Sequence, residues 1–272
     1  MFIVATPIGN LADISARALE VLKQVDAIAA EDTRNTSNLL KHFGIRQTLV
    51  AYHDHNEAHA AEKLVAHLTE GKDIALVSDA GLPLIADPGY RLIGACAEAG
   101  IKVTVIPGAN AALAALVLSG LPTDRFYFHG FLPAKSGARK KELQDLATQP
   151  ATLVFYEAPH RLVDCLVDAA ATLGDRPAAV VREITKLFEE VKRGPLSELA
   201  AYYEATPPKG ECVLVIGGQV EKPAAAAADI DALLRAALKK LKVKDAAKAV
   251  AAETGEKVSA LYARALELQD EG

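Results

Sequence analysis

Carboxylates, guanidinium groups and an ammonium group gather in three short runs: Glu31-Asp32-Thr33-Arg34, Tyr156-Glu157, and Arg182-Glu183 with Lys186. Each run follows a short apolar segment of the kind that forms a buried strand. Charges at strand ends can be plain salt bridges, as Arg182 beside Glu183 illustrates. Clustering at the end of several strands favours substrate contact or catalysis, because functional residues concentrate on loops carried by a rigid scaffold.

A second pattern exposes main chain. Leu76-Val77-Ser78-Asp79-Ala80-Gly81-Leu82-Pro83-Leu84-Ile85-Ala86-Asp87-Pro88-Gly89 joins an apolar strand to a helical pattern through closely spaced turn residues. Such a shaped loop at a strand end is where ligands bind in an open α/β sheet, although Gly and Pro also punctuate ordinary loops. Gly9, Gly108 and Gly130 sit in comparable loops, and glycine lets main chain approach a ligand closely. No G-x-G-x-x-G and no G-x-x-x-x-G-K-[ST] occurs, so dinucleotide and P-loop readings have no support. His53-Asp54-His55, with Asn56, Glu57 and His59, has a spacing that zinc can use. A closed site needs about four ligands and Cys96, Cys165 and Cys212 are far away, so a polar substrate-facing loop with no metal is expected.

Elements that could position these residues alternate along the chain. Strand-like runs at Phe2–Ala5, Val25–Ala30, Thr48–Ala51, Ile74–Val77 and Val103–Ile106 are each followed by a helical pattern. Asp13 or Ser15 can cap the first helix, and the second is expected from about Thr36 to Phe43. Short buried strands separated by helices predict a parallel sheet covered on both faces. After Leu121-Pro122-Thr123-Asp124, strands at Phe126–Phe128, Gly130–Phe131, Thr152–Tyr156, Ala178–Val181, Glu189–Arg193 and Glu211–Ile216 follow one another without helices in places. That predicts a mixed sheet. The fold class expected is thus α/β: a parallel-sheet domain over residues 1–120, a mixed-sheet domain over 121–219 and a cleft between them. A linker over 220–228 leads to a small helical domain over 229–272, where Thr254-Gly255 separates two helices in a hairpin or helix-turn-helix.

The totals agree with such a protein. The chain has 272 residues, 51% hydrophobic and 24% charged, no Trp and a formal charge of -5. That balance argues against a surface coated for nucleic acid but leaves room for a local basic face. No run approaches the roughly 20 apolar residues that cross a membrane. Met1-Phe2-Ile3-Val4 enters a strand without a basic leader, and the three cysteines are scattered, so a cytoplasmic protein with no membrane association is expected.

Several stretches, taken together, are more specific. Val4-Ala5-Thr6-Pro7-Ile8-Gly9-Asn10-Leu11-Ala12-Asp13-Ile14, Ala30 to Arg34, His53 to Glu57, Ser78 to Gly89, Gly130-Phe131-Leu132-Pro133 and Phe155-Tyr156-Glu157 occur in that order. They resemble the bacterial 16S ribosomal RNA (cytidine-2′-O)-methyltransferases, a branch of the tetrapyrrole methylase superfamily. The resemblance covers about residues 1–218, and the terminal helices are similar to the small C-terminal domain of those enzymes.

This resemblance implies S-adenosylmethionine (AdoMet) as methyl donor, bound between two α/β domains, usually in a homodimer. The acceptor would be the ribose 2′-hydroxyl of a cytidine in the decoding region of 16S rRNA, in the small ribosomal subunit. The donor-site residues it implies are Pro7, Asp79, Ala80, Gly81, Leu82, Ile85, Asn110, Ala111 and Tyr156, with Lys209 and Gly210 close to the adenine or ribose. Two positions depart from the family pattern: Leu82 replaces a Thr, and Ala109-Asn110 replaces Pro-Ser or Pro-Cys. For the transfer itself, Glu31, Asp32, Glu157 and Glu183 could accept the hydroxyl proton, while Arg34, Arg182 and Lys186 could hold phosphate or steady an oxyanion. Lys135, Arg139, Lys140 and Lys141, with Lys239, Lys240, Lys242 and Lys244, could meet RNA phosphates or form a solvated face. Two alternatives share the fold. One is a carbon methyltransferase acting on a small tetrapyrrole. The other is a non-enzymatic module that senses AdoMet and binds nucleic acid through its helical tail.

Overall fold

The structure is a computed structural model that describes residues 1–53, 57–87, 89–219 and 227–270. Two five-stranded sheets dominate its first unit, Met1–Gly218. In the first sheet β1 (Phe2–Val4), β2 (Ala27–Ala30), β3 (Leu49–Ala51), β4 (Ile74–Val77) and β5 (Thr104–Ile106) run parallel in the order β3-β2-β4-β1-β5. Helices cover both faces, which is why these strands are short and apolar throughout. Alternate residues of β4 show the two sides. Ile74 and Leu76 pack with α3 (Glu57–Thr69) and α4 (Tyr90–Glu98), whereas Ala75 and Val77 pack with α1 (Ala16–Gln24) and α2 (Thr33–His42).

Local chemistry sets the helix starts. Ser15 Oγ accepts the Ala18 N–H at 3.1 Å and begins α1, one of the two caps expected. Asp32 caps α2 by accepting the Arg34 N–H at 2.8 Å, so this helix begins earlier than the apolar periodicity predicts.

In the second sheet β6 (Phe126–Phe131), β7 (Thr152–Glu157), β8 (Pro177–Arg182), β9 (Glu190–Pro195) and β10 (Cys212–Ile216) take the order β6-β7-β10-β8-β9. Only the β6–β7 pair is parallel, which makes the sheet mixed, as expected. Cys212, Leu214 and Ile216 join the core under α6 (Ser136–Asp145), α7 (Leu162–Leu173) and α8 (Leu196–Ala205). Val213 and Val215 face the other way, toward Ile8 and α5 (Ala111–Ser119). Arg193 of β9 fixes the far end of α5: its guanidinium donates to Ser119 O at 2.9 Å and to Leu118 O. A cation there also suits the negative end of the helix dipole. The cysteines are free and buried, as core residues.

The second unit, Gln219–Gly272, contains α9 (Ala227–Leu238), α10 (Val243–Thr254) and α11 (Val258–Asp270). Leu234, Ala247, Val250, Leu261, Ala265 and Leu268 form its core. Arg264 clamps Asp231 through Nε and Nη2 at 2.9 and 2.6 Å, tying α11 to α9. The glycine turn read from Thr254-Gly255 is the left-handed end of α10.

Candidate active site

The chain leaves β1 for β2 on one side and neighbouring β4 for β5 on the other. Loops that part in this way open a crevice at the carboxyl ends of the strands. Across the parting, the Thr6 N–H donates to Gly81 O at 2.8 Å and the Gly81 N–H to Thr6 O at 3.1 Å. Thr6 Oγ1 donates to Ser78 O at 3.1 Å. The two loops thus form one ridge, and two cavities adjoin it.

The first cavity, about 360 Å³, has Ile8, Ala80, Gly81, Leu82, Ile85, Asn110 and Ala111 along one wall and Phe131, Tyr156, Glu157, Ile184, Cys212 and Val213 along the other. It therefore brings together the expected donor residues Ala80, Gly81, Leu82, Ile85, Asn110, Ala111 and Tyr156, with Glu157 from the catalytic set. Gly81 has φ of +88°, and a Cβ there would sit 3.2 Å from Ile8 Cγ2. Asn110 Oδ1 accepts the Leu113 N–H at 3.0 Å and caps α5, whose first turn borders the cavity. Tyr156 packs edge-on to Phe128 at 5.0 Å between ring centres. Burial raises its hydroxyl pKa, against a smaller opposing effect of the Ala112 backbone, so the phenol stays neutral. Burial likewise pushes the Cys212 thiol up to about 11, which makes it a lining group and not a nucleophile.

The second cavity, about 430 Å³, includes Pro7, Asn35, Thr36, Asn38, His42 and Asp79. Pro7 and Asp79, expected beside the donor, lie here. Asp79 Oδ1 accepts the Asp32 N–H at 3.1 Å and Oδ2 accepts Asn35 Nδ2 at 2.8 Å, so this carboxylate anchors the start of α2.

The candidate catalytic charges do not form one cluster; each is held by a partner. Arg34 Nη2 donates to Asp32 Oδ2 at 2.7 Å and, with the Arg34 backbone N–H, lowers the Asp32 pKa to about 2. Arg34 itself keeps 88% of its side chain exposed. Glu157 is fully buried with Arg161 Nε 3.1 Å from Oε1, and Arg161 Nη2 donates onward to Leu132 O at 2.5 Å. Arg182 pairs with Glu190, its neighbour across β8 and β9, with Nε donating at 2.8 Å. Lys186 Nζ lies 3.0 Å from both Glu183 Oε1 and Glu211 Oε2, and its hydrogen bond keeps the Glu183 carboxyl below its usual range. Lys209 and Gly210 are outside the lining of the first cavity. Lys209 O accepts from Arg182 Nη1 at 3.5 Å, and Gly210 lies against Glu183. The residues that follow them, Glu211 to Val213, do line it.

Sequence reasoning missed Ile8, Phe131, Ile184 and Cys212-Val213 as lining residues, because apolar side chains beside a ligand read as core. It also missed Arg161, which the four-residue spacing from Glu157 signals. Arg139 is a correction: it does not face RNA but is 2% exposed, with Nε donating to Asp168 Oδ2 at 2.7 Å. Lys135, Lys140 and Lys141 on the same stretch are exposed. Asp54, His55 and Asn56 lie outside the described residues, as do the side chains of Glu57 and His59. Among the described residues no group of three or more His, Cys, Asp or Glu is placed to hold a metal ion.

Residues 1–200 match the family model of the tetrapyrrole (corrin/porphyrin) methylases. The chain belongs to the tetrapyrrole methylase family. Residues 224–269 match the RsmI C-terminal HTH domain. Ribosomal RNA small subunit methyltransferase I of Escherichia coli O157:H7 is 51% identical over 272 residues, covering 99% of this chain and 95% of that protein. The protein of the same name from Mesorhizobium japonicum is 50% identical, covering 99% and 92%. Among solved tetrapyrrole methylase-like structures, uroporphyrin-III-C-methyltransferase from Thermus thermophilus superposes with a TM-score of 0.55 at 23% identity, over 79% of this chain and 93% of that one. Diphthine synthase gives 0.60 at 17% identity, over 79% and 88%. Identities this low speak for the fold alone.

Proposed function

We propose that this methylase transfers the methyl group of AdoMet to the ribose 2′-hydroxyl of a cytidine in the decoding region of 16S rRNA, within the small ribosomal subunit. One observation carries the reading. A cleft that gathers most of the expected donor residues occurs in a chain that matches ribosomal RNA small subunit methyltransferase I along nearly its whole length.

The residues present fit AdoMet. The cavity falls in the usual range for small-ligand pockets, roughly 300–1,000 Å³, and combines apolar walls with a few polar groups. Ile8, Leu82, Ile85 and Val213 would cover the adenosine, Ala80 and Gly81 offer main chain, and the start of α5 at Asn110-Ala111 suits a carboxylate. Pro7 and Asp79 would act from the far side of the ridge, and Lys209-Gly210 would set the course of the segment ending in Val213. The Leu82 and Asn110 departures are compatible with this. Leu82 adds apolar wall, and Asn110 supplies a helix cap as Ser would. AdoMet, when bound, supplies an electrophilic methyl group.

A ribose hydroxyl is weakly acidic, and a carboxylate held at low pKa is a weak base toward it. Asp32 and Glu183, both lowered, are therefore assigned to holding Arg34 and Lys186 in place, Glu157 by its contact to holding Arg161, and most of the rate gain to positioning. Arg34, Arg182 and Lys186 would steady phosphate around the target nucleotide. Lys135, Lys140 and Lys141, with Lys239, Lys240, Lys242 and Lys244, would add nonspecific grip, all of them exposed.

Residues 1–120 and 121–219 are read as two domains that share α5, and the protein as a cytoplasmic homodimer. Leu113 and Val117 on α5, 48% and 73% exposed, support a self-contact. Carbon methylation of a tetrapyrrole would use the same fold and donor, but leaves the exposed lysines and the C-terminal helices without a role. Incubation with methyl-labelled AdoMet tests the choice. Label in small-subunit RNA supports it, and label accepted only by a tetrapyrrole overturns it.

A further inference from the structure

The segment between β8 and β9 is built unlike an ordinary hairpin tip. Glu183 and Thr185 both take left-handed backbone angles, φ of +52° and +64°, without being glycine. Residues hold such angles only where surrounding contacts impose them. The contacts are on hand. Glu189 Oε2 accepts the Thr185 N–H at 2.7 Å, the Lys186 N–H donates to Glu183 O at 3.0 Å, and Lys186 Nζ is held by Glu183 and Glu211. The base of the loop is therefore rigid.

Its tip is apolar and uncovered. Leu187 is 90% exposed and Phe188 is 69% exposed, consecutive and next to Lys186. A single exposed apolar side chain needs no explanation, but a braced loop presenting two side by side does. The location supplies one. Ile184, at the base, lines the first cavity, and a Cβ on Gly9, from the loop lining the second, would lie 2.5 Å from Lys186 Cγ. The tip thus rises from a base that borders the first cavity through Ile184 and the loop of the second through Lys186.

We propose that Phe188, with Leu187 beside it, is a stacking platform for an unpaired RNA base next to the target nucleotide. This rests on the RNA-methylating reading above and deepens it. A ribose buried in a cleft can be reached only if its strand is pulled out of a helix, and a neighbouring base then needs a face to replace its lost stacking. Aromatic side chains provide that face for any base. Lys186 is the one cation in residues 183–190, beside Glu183, Glu189 and Glu190, so Leu187 and Phe188 offer their apolar faces to a base and leave phosphate to Lys186.

Because the sequence has no Trp, Phe188→Trp installs a lone fluorophore at the platform. The probe is the small ribosomal subunit from cells lacking the modification. Stacking predicts quenched tryptophan emission on titration with subunits. It also predicts that Phe188→Ala raises KM for subunits by about tenfold or more, with AdoMet affinity unchanged. Phe188→Trp should restore KM, which a loss of folding would not allow. Unchanged KM in Phe188→Ala overturns the platform, as does a shift of Phe188→Ala from dimer to monomer, which would place the tip in a self-contact. Failure of the wild-type protein to methylate subunits would instead remove the RNA reading itself.

Discussion

Thr6 and Gly81, 75 residues apart, are joined by two reciprocal main-chain hydrogen bonds of 2.8 and 3.1 Å. That pairing locks the loops after β1 and β4 into the ridge beside which donor and acceptor are proposed to meet. The left-handed angle at Gly81 makes the pairing possible, and a side chain there would push toward Ile8.

Gly81→Ala is accordingly expected to weaken AdoMet binding about tenfold, a change of about 1.4 kcal/mol, because a left-handed alanine costs on the order of 1 kcal/mol and its methyl crowds the wall. Calorimetric titration with AdoMet checks this. Wild-type affinity would separate the ridge from the donor site.

Gly210 and Glu183 are coupled in the same steric manner. A Cβ at Gly210 would lie 2.1 Å from Glu183 Oε1, and the backbone there has φ of +78°. Gly210→Ala should destabilise by about 2–3 kcal/mol from overpacking and strain. Adding Glu183→Ala should recover part of that loss, which denaturant unfolding of the single and double variants would reveal as coupling.

Asp32 offers a pH test. Its carboxyl is held down to about 2 by Arg34, so it is ionised throughout the neutral range. A depressed pKa means that its contribution is present above about 3.8 and is lost only as pH falls toward 2. Single-turnover methylation between pH 5 and 9 should therefore carry no ionisation that Asp32→Asn removes. Disappearance of an ionisation near neutrality in that variant would make Asp32 a general base after all.

Arg139 and Asp168 form a buried pair. Burial opposes ionisation of Asp168, but hydrogen bonds from Arg139, Ser136 and Lys140 outweigh it and lower its pKa. Stability from this group is fully present above the usual carboxylate range and drains away in acid. Arg139→Leu should cost about 3 kcal/mol, the low end for breaking a buried pair, because Lys140 and Ser136 still reach Asp168 Oδ1, and Arg139→Leu with Asp168→Leu should cost less. Thermal unfolding at neutral pH gives the comparison.

The alternation of strands and helices was legible because strands covered on both faces must be short apolar runs, and turn residues mark their ends. The edge that carries the two cavities was legible for the same reason. The charge partners were not. Arg182 meets Glu190 across two antiparallel strands, and Lys186 meets Glu211 through a contact 25 residues away in sequence. Neither can be read from local spacing. Asp32 looked like a substrate-facing charge, yet a cap residue just before a helix has the same composition. Asp79 and Ala80 are adjacent in sequence but line different cavities, because the ridge passes between them.

The most direct measurement is transfer of labelled methyl from AdoMet to small ribosomal subunits from cells lacking the modification, followed by nucleoside analysis of the RNA. The expected product is 2′-O-methylcytidine from one position in the decoding region of 16S rRNA, lost in Gly81→Ala at limiting AdoMet. Label on a base, at another nucleoside or on no RNA at all would contradict the account.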